Sequence, residues 1–145
     1  MKDLIEKYDL EVVSVEKVFS DYDRAILSEF NKKYDLDLKE TQKGGRELLF
    51  NASSKQAICQ IECSHLDDKG CYLTDFNRWA VNSAYAEIAG IPYYHIAWHY
   101  EKGILYAHLF DMKAAKSYVD WRWHEKKLLG SLDISNAVTK FVLSI

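Results

Sequence analysis

The chain has 145 residues, of which 48% are apolar and 28% are charged, and its formal net charge is −3. This balance is typical of one folded domain and excludes an intrinsically disordered chain. The slightly acidic total also argues against a protein that coats nucleic acid nonspecifically. No apolar run approaches the roughly 20 residues of a membrane span, and the charged N-terminal sequence is unlike a signal peptide. We therefore expect a cytoplasmic protein with no membrane contact.

The first third of the chain predicts a helix followed by a strand hairpin. Lys2–Tyr8 favours a short helix, and Glu11–Phe19 is ambiguous between helix and strand. Asp21–Tyr34 predicts a helix, because Ser20 or Asp21 can cap its free N–H groups. Its apolar face is formed at helical spacing by Ile26, Leu27, Phe30 and Tyr34.

Glycines and short apolar runs predict the hairpin. Gly44 and Gly45 indicate a turn, Glu47–Asn51 favours one strand, and Gln56–His65 favours the next. Ala52–Lys55 would form the turn between these two strands.

The middle of the chain predicts a helix and a second hairpin. Thr74–Ala89 has a capping residue at its start and Gly90 and Pro92 after its end. We expect its apolar stripe to pack in the core; the stripe comprises Phe76, Trp79, Ala80, Ala84, Tyr85 and Ile88. Tyr93–Tyr100 and Ile104–Phe110 then predict two strands joined by a short turn.

The C-terminal part predicts helices. Asp111 can cap a helix that runs to about Leu129, and a last helix would carry Val138, Phe141 and Val142. The predicted fold class is α/β (α+β), with a central mixed sheet of about four to five strands flanked by helices.

Three cysteines and a histidine raise the possibility of a zinc site. Cys59 and Cys63 lie in one predicted strand, where four residues span roughly 13 Å, too far for two sulfurs to share one ion. Cys63, His65 and Cys71 would meet only if the intervening loop folds back. Zinc is therefore unlikely on this pattern, and free thiols are the favoured interpretation.

The segment from Gly44 to Ala115 resembles the core of the PD-(D/E)XK, or restriction-endonuclease-like, superfamily. The resemblance is carried by a helix before the Gly-led hairpin, an acid near the end of the second hairpin strand (Ile58 to His65), and a helix that leads through Gly90-Ile91-Pro92 into an aromatic strand. It implies a restriction-endonuclease-like fold in a single domain, 1–145. The nuclease-like core would cover about 20–118, with a helical extension at 119–145.

The resemblance implies Mg²⁺-dependent hydrolysis of phosphodiester bonds in nucleic acid. The family uses an acid on the first hairpin strand and an acid-x-lysine on the second, and carboxylate oxygens hold the metal. Glu62 matches the second acid, and Glu47 or Asn51 stands near the first. Ser64 stands where the family has its lysine. The implied site is therefore Glu62, Glu47, Gln60 and Ser64, with Mg²⁺ on Glu62 and on Glu47 or Asn51.

The serine at position 64 departs from the family pattern, because a hydroxyl carries no positive charge. Arg78 on the following helix is the best candidate to supply a cation and to contact phosphate. Alternation along the strand predicts that Gln60, Glu62 and Ser64 share one face. Asn77, Asn82 and Glu87 on the same helix as Arg78 would also be able to face the site.

Three histidines offer a weaker alternative for metal or acid–base chemistry. His95 and His99 share a strand face but lie about 13 Å apart, so they cannot bind one metal and are expected to be packed or at the rim of the sheet. His108 on the next strand would face one of them.

A C-terminal aromatic and basic cluster suggests a binding surface for nucleic acid or for a protein partner. It consists of Trp121, Arg122, Trp123 and Lys126 with their neighbours His124 and Lys127. Tryptophan stacks on bases and also dominates protein interfaces. The alternative function is a catalytically inactive interaction protein, related to mobile elements or host defence by the resemblance, that uses this aromatic helix and can form a homodimer.

Overall fold

The computed structural model describes residues 20–40, 51–53 and 57–144. Within these ranges the helices are α1 (Asp21–Tyr34) and α2 (Phe76–Ala89), and two short 3-10 helices cover Met112–Ser117 and Ile134–Asn136. The strands are β1 (Lys39–Glu40), β2 (Asn51–Ser53), β3 (Ile58–Cys63), β4 (Cys71–Asp75), β5 (Tyr93–Glu101), β6 (Ile104–Asp111), β7 (Asp120–His124), β8 (Lys127–Asp133) and β9 (Thr139–Ser144). The predictions for Lys2–Tyr8, Glu11–Phe19 and the turn at Gly44 and Gly45 lie outside the described residues.

The described strands form two sheets. The larger one has the order β1-β2-β3-β5-β6-β9, in which β3 and β5 are parallel and the other neighbours are antiparallel. The smaller antiparallel sheet has the order β4-β8-β7. The predicted α+β class, a mixed sheet flanked by helices, is confirmed.

Side-chain alternation divides the core between the two faces of the larger sheet. On one face, Cys59, Ile61 and Ile96 pack with the apolar side of α1. On the other face, Ile58 and Ala97 belong to a cluster that includes α2 and the smaller sheet. The crossover from β3 through β4 and α2 to the parallel strand β5 therefore covers a single face, on which the candidate site lies.

Helix α1 begins and ends as its sequence predicts. Ser20 is the N-cap and forms a capping box with Asp23, which satisfies N–H groups that have no partner inside the helix. The helix ends at Asp35, whose φ of 54° is left-handed. Its buried residues include the predicted Ile26, Leu27 and Phe30.

Helix α2 keeps its predicted ends, but half of its predicted stripe faces outward. Asp75 caps the first turn, and Gly90 ends the helix with a φ of 69°. Phe76, Trp79 and Ala80 pack as expected, whereas Ala84, Tyr85 and Ile88 are exposed. The prediction for these last three is wrong because Asn82 and Ala86 are the residues that this half of the helix buries against the sheet.

The predicted helix from Asp111 to about Leu129 is wrong. After one 3-10 helix the chain forms the antiparallel hairpin β7–β8. The turn contains no glycine or asparagine, and Glu125 adopts a φ of 58° there, so the usual turn signal is missing. Gly130 is opposite Trp121 in this hairpin. A Cβ at Gly130 would lie 2.7 Å from the Trp121 ring, so the glycine allows the indole to cover the strand.

The predicted last helix and the helical extension at 119–145 are also wrong. Of the residues predicted to be helical, Phe141 and Val142 lie in β9 and Val138 directly precedes it. Strand β9 pairs with β6 along the edge of the larger sheet. The sequence does not predict strand β4, and its last two residues, Thr74 and Asp75, fall at the start of the predicted helix. No helix in the described part of the chain has the length and apolarity needed to cross a membrane.

Candidate functional site

Polar side chains lie on the α2 face of the parallel strand pair. Gln60 is opposite His95, and Glu62 is opposite Ala97. Glu62 stands one residue before the end of β3, so it lies at the carboxyl end of the parallel pair. The prediction that Gln60 and Glu62 share a face is confirmed. Ser64 follows the strand, and its backbone N–H donates to the Trp98 carbonyl over 2.8 Å.

Glu62 and Arg78 form a partly buried ion pair. Nη1 of Arg78 donates to Oε2 of Glu62 over 3.0 Å, and the exposed fractions of the two side chains are 16% for Arg78 and 23% for Glu62. Arg78 reaches the carboxylate from the first turn of α2. Burial raises the pKa of Glu62, and the Arg78 guanidinium offsets part of this shift. The predicted cation therefore lies beside the predicted acid.

Gln60 is held beneath this ion pair by two neighbours. The Tyr93 hydroxyl donates to Oε1 of Gln60 over 2.7 Å. Nδ2 of Asn82 lies 3.4 Å from the same oxygen and 3.4 Å from the Tyr93 hydroxyl. Gln60 is fully buried, so it does not meet a substrate from solvent and instead fixes α2 on the sheet. Of the three α2 residues that the sequence places near the site, Asn82 contacts Gln60. The other two, Asn77 and Glu87, are exposed.

His95 is a packed histidine, as expected. It is fully buried, and neither ring nitrogen has a hydrogen-bond partner among the described atoms. Nε2 of the adjacent Gln60 also lacks a partner. Burial, together with the nearby Arg78 charge, lowers the pKa of His95 to about 3, so the ring is neutral at pH 7.

The described residues include only part of the implied metal site. Glu47 lies outside it. The backbone of Asn51 pairs with that of Gln60 across β2 and β3. Among the described residues, no group of three His, Cys, Asp or Glu side chains is placed to hold a metal ion. Glu62 supplies one carboxylate, and Asp75 is near enough for its charge to add to the raised pKa of Glu62.

The aromatic and basic cluster lies in the smaller sheet and not on a helix. Trp121 packs edge-on against Phe76 and also contacts Trp79, so it belongs to the core. Trp123 is 70% exposed, and Arg122 and Lys126 are exposed beside it. Arg122 pairs with Asp120 over 2.8 Å. We call Arg122, Trp123 and Lys126 the hairpin patch.

The three cysteines, all of which lie in the described ranges, do not form a common metal site. Cys59 is buried, Cys63 is exposed and Cys71 is intermediate, and all three are free thiols. Cys59 and Cys63 lie in β3 at the predicted spacing along the strand.

Two tyrosines of this face were not singled out from sequence. Tyr93 opens β5 and holds Gln60, and Tyr72 lies in the unpredicted strand β4 and contacts His99 and His108. Strand β4 buries Tyr72 and Thr74 and exposes Leu73. Its apolar residues therefore do not alternate along the sequence in the way that identifies a strand.

Comparison with known proteins leaves the site to be interpreted from its geometry. No protein-family model matches this chain, and no curated protein matches it.

Proposed function

We propose that the protein acts on nucleic acid as a divalent-metal-dependent phosphodiesterase at the carboxyl end of β3 and β5. The observation that carries the proposal is the contact between Glu62 and Arg78. An acid on a strand and a cation from the following helix meet although Ser64, at the lysine position, cannot supply the charge. This end of the parallel pair is also where ligands bind in open sheets with helical crossovers.

The order of the described elements supports the same proposal. One helix, antiparallel strands, a second helix and a strand parallel to β3 follow one another, as the resemblance to restriction-endonuclease-like proteins implies. The acid lies near the end of β3, and the short strand β4 stands between β3 and the second helix. The finer assignment to that superfamily, and a cytoplasmic location, are parts of the proposal.

Mg²⁺ fits the carboxylate of Glu62, the one implied ligand whose side chain lies in the described part of the chain. Mg²⁺ is commonly held by one or two carboxylates, by waters and by substrate phosphate oxygens. Glu62 would be one ligand, and Glu47 or Asn51 would be the other ligand from the protein. When bound, the metal would lower the pKa of an attacking water and stabilise charge on the phosphate.

The chain's own residues have distinct roles in this proposal. Arg78 orients the Glu62 carboxylate and places a guanidinium where a phosphate oxygen can accept from it. Gln60, Asn82 and Tyr93 position the helix that carries Arg78. Ser64, which follows the end of β3, offers a hydroxyl for a hydrogen bond.

The test is cleavage of labelled nucleic acids with Mg²⁺ or Mn²⁺. Single-stranded, duplex and branched DNA, and RNA, are incubated with wild type, with Glu62→Gln and with Glu87→Gln. The last is the matched control, because Glu87 is an exposed glutamate near the C-terminal end of α2. We expect Glu62→Gln to lower the cleavage rate by at least about 100-fold and Glu87→Gln to leave it unchanged. Full activity in Glu62→Gln, or no cleavage of any substrate by wild type, would refute the proposal.

A non-catalytic interaction function is the second candidate, favoured by the exposed indole of Trp123. A tryptophan flanked by cations on the edge strand β7 is typical of contact surfaces. We expect Trp123→Ser to abolish self-association in sedimentation velocity with little change in stability. Trp121→Ser should instead destabilise the fold, because its ring packs on Phe76 and Trp79. A wild type that sediments as a monomer would count against a homodimer through this patch.

A further inference from the structure

A second polar cluster lies on the same face as Glu62 and has no role in the proposal so far. The hydroxyl of Tyr72 lies 2.8 Å from Nδ1 of His99 and 3.0 Å from Nδ1 of His108. Tyr72 is fully buried, and His108 is 6% exposed, whereas His99 is intermediate. The hydroxyl of Tyr72 therefore contacts two imidazoles, one buried and one partly exposed.

Proton counting limits how the three groups can be connected. A phenol has one proton, so Tyr72 donates to one Nδ1 and must accept an N–H from the other. If His99 becomes protonated, both of its nitrogens are donors. The one arrangement compatible with that state runs from the His99 Nδ1–H to the Tyr72 oxygen, and from the Tyr72 hydroxyl to Nδ1 of His108. Nε2 of His99 is then the atom that gains and loses the proton.

The surroundings of the cluster suit a donor chain that ends on a neutral His108. Burial, reinforced by Lys140 and His99, lowers the pKa of His108 to about 4, so it remains an acceptor near neutral pH. Burial also lowers the pKa of His99. The charge of Glu101 opposes this shift, and His65 and Lys140 add to it. Tyr106 stacks on the His99 ring at 5.2 Å, and Lys140 lies 5.3 Å above the Tyr106 ring. Burial and the nearby Cys63 raise the pKa of Tyr72, which keeps the phenol protonated.

The cluster and the Glu62 site belong to one end of one face. Glu62 is opposite Ala97 on β5, and Ala97 is opposite His108 on β6. His99 lies two residues beyond Ala97 and therefore on the same face. With strands about 4.8 Å apart and about 3.3 Å per residue, the Cα atoms of Glu62 and His99 are about 8 Å apart. A small side chain, that of Ala97, separates Glu62 from His108 across the sheet.

We infer that His99 is the general base of the Glu62 site, with Tyr72 and His108 as the residues that position it. This inference rests on the proposed function. Nε2 of His99 takes a proton from the attacking water, whose oxygen forms a bond to phosphorus. The bond from phosphorus to the leaving nucleoside oxygen breaks, and that oxygen takes a proton from solvent. His99 later returns its proton to solvent, so the base supplies what Ser64 cannot.

The first measurement does not depend on cleavage. Nitrogen-15 NMR of the intact protein at pH 8 reports which ring nitrogen of His99 carries the proton. We expect the proton on Nδ1 and a lone pair on Nε2 in wild type, and a mixture of tautomers in Tyr72→Phe. A proton on Nε2 of His99 in wild type would overturn the inference.

The second measurement is cleavage by His99→Gln, with Tyr85→Phe on the exposed side of α2 as the control. We expect His99→Gln to lower kcat by about 100-fold or more with little change in KM. Tyr72→Phe should move the acidic limb of the pH–rate profile. Tyr85→Phe should match wild type. If wild type cleaves and His99→Gln cleaves equally fast, the inference fails while the proposed function stands. If wild type cleaves nothing, the proposed function fails, and the role of His99 fails with it.

Discussion

Acidification from pH 6.5 to pH 4 is expected to lower the free energy of unfolding through His95 by roughly 3 kcal/mol, at about 1.4 kcal/mol for each pKa unit. Burial holds the pKa of His95 at about 3 in the folded chain, well below the value of about 6.5 in an unfolded chain. Between these values the unfolded state binds the proton and the folded state does not. The contribution of His95 is therefore complete above pH 6.5 and is lost as pH falls toward 3.

Urea unfolding of wild type and His95→Gln at several pH values measures this effect. The variant lacks the titrating ring, so the difference in stability between the two proteins should shift in favour of the variant as pH falls. The comparison is needed because Glu62 and Asp23 have pKa values raised by burial, and such groups change stability in the opposite direction. A difference between wild type and variant that stays constant from pH 7 to pH 4 would show that folding does not lower the pKa of His95.

Asp23→Ala is expected to cost about 2–4 kcal/mol of folding stability. The Asp23 carboxylate is 2% exposed. It accepts from Nε1 of Trp98 over 2.7 Å and from the backbone N–H of Ser20 over 2.8 Å. Alanine removes half of the capping box and leaves the buried indole N–H of Trp98 without its acceptor.

Asp21→Ala is the matched control for this loss. Asp21 lies in the same first turn of α1, but its carboxylate is fully exposed and pairs only with Arg24 among the contacts described for it. Such a pair contributes under about 1 kcal/mol. Chemical denaturation of both variants at pH 7 tests the difference, and equal losses would contradict the role given to the Trp98–Asp23 contact.

Local signals account for the parts of the fold that could be predicted from sequence. Ser20 and Asp75 are strong N-cap residues, Gly90 is free to adopt a left-handed conformation, and the apolar residues of α1 follow a helical period. These signals act over a few residues, so the ends of both described helices follow from them. Alternation in β3 likewise predicts which of its side chains share a face.

The C-terminal hairpin could not be predicted in the same way because its stability comes from tertiary contacts. Its turn at Glu125 carries no typical turn residue, and its strands contain lysine and leucine, which favour helices. The indole of Trp121 gains its packing partners, Phe76 and Trp79, from α2. Only the assembled fold therefore makes this segment extended.

The candidate site likewise has a part that could be predicted from sequence and a part that depends on tertiary contacts. Glu62 and Arg78 could be named from the pattern of one strand and the next helix. The contacts of Gln60 with Tyr93, and of Tyr72 with two histidines, depend on the register of β3 with β5 and on a strand too short to predict. Such contacts join residues 27 to 36 positions apart in sequence, beyond the reach of any local signal.

Binding of Mn²⁺ followed by NMR tests most directly whether Glu62 holds a divalent ion. Paramagnetic Mn²⁺, added below one equivalent, broadens the resonances of nuclei near its site. We expect the amide signals of Glu62, Cys63 and Arg78 to be lost at the lowest Mn²⁺ concentration, the signals of the hairpin patch to be broadened less, and no selective loss to occur in Glu62→Gln. Selective broadening elsewhere in the chain, or the same pattern in Glu62→Gln, would contradict our account.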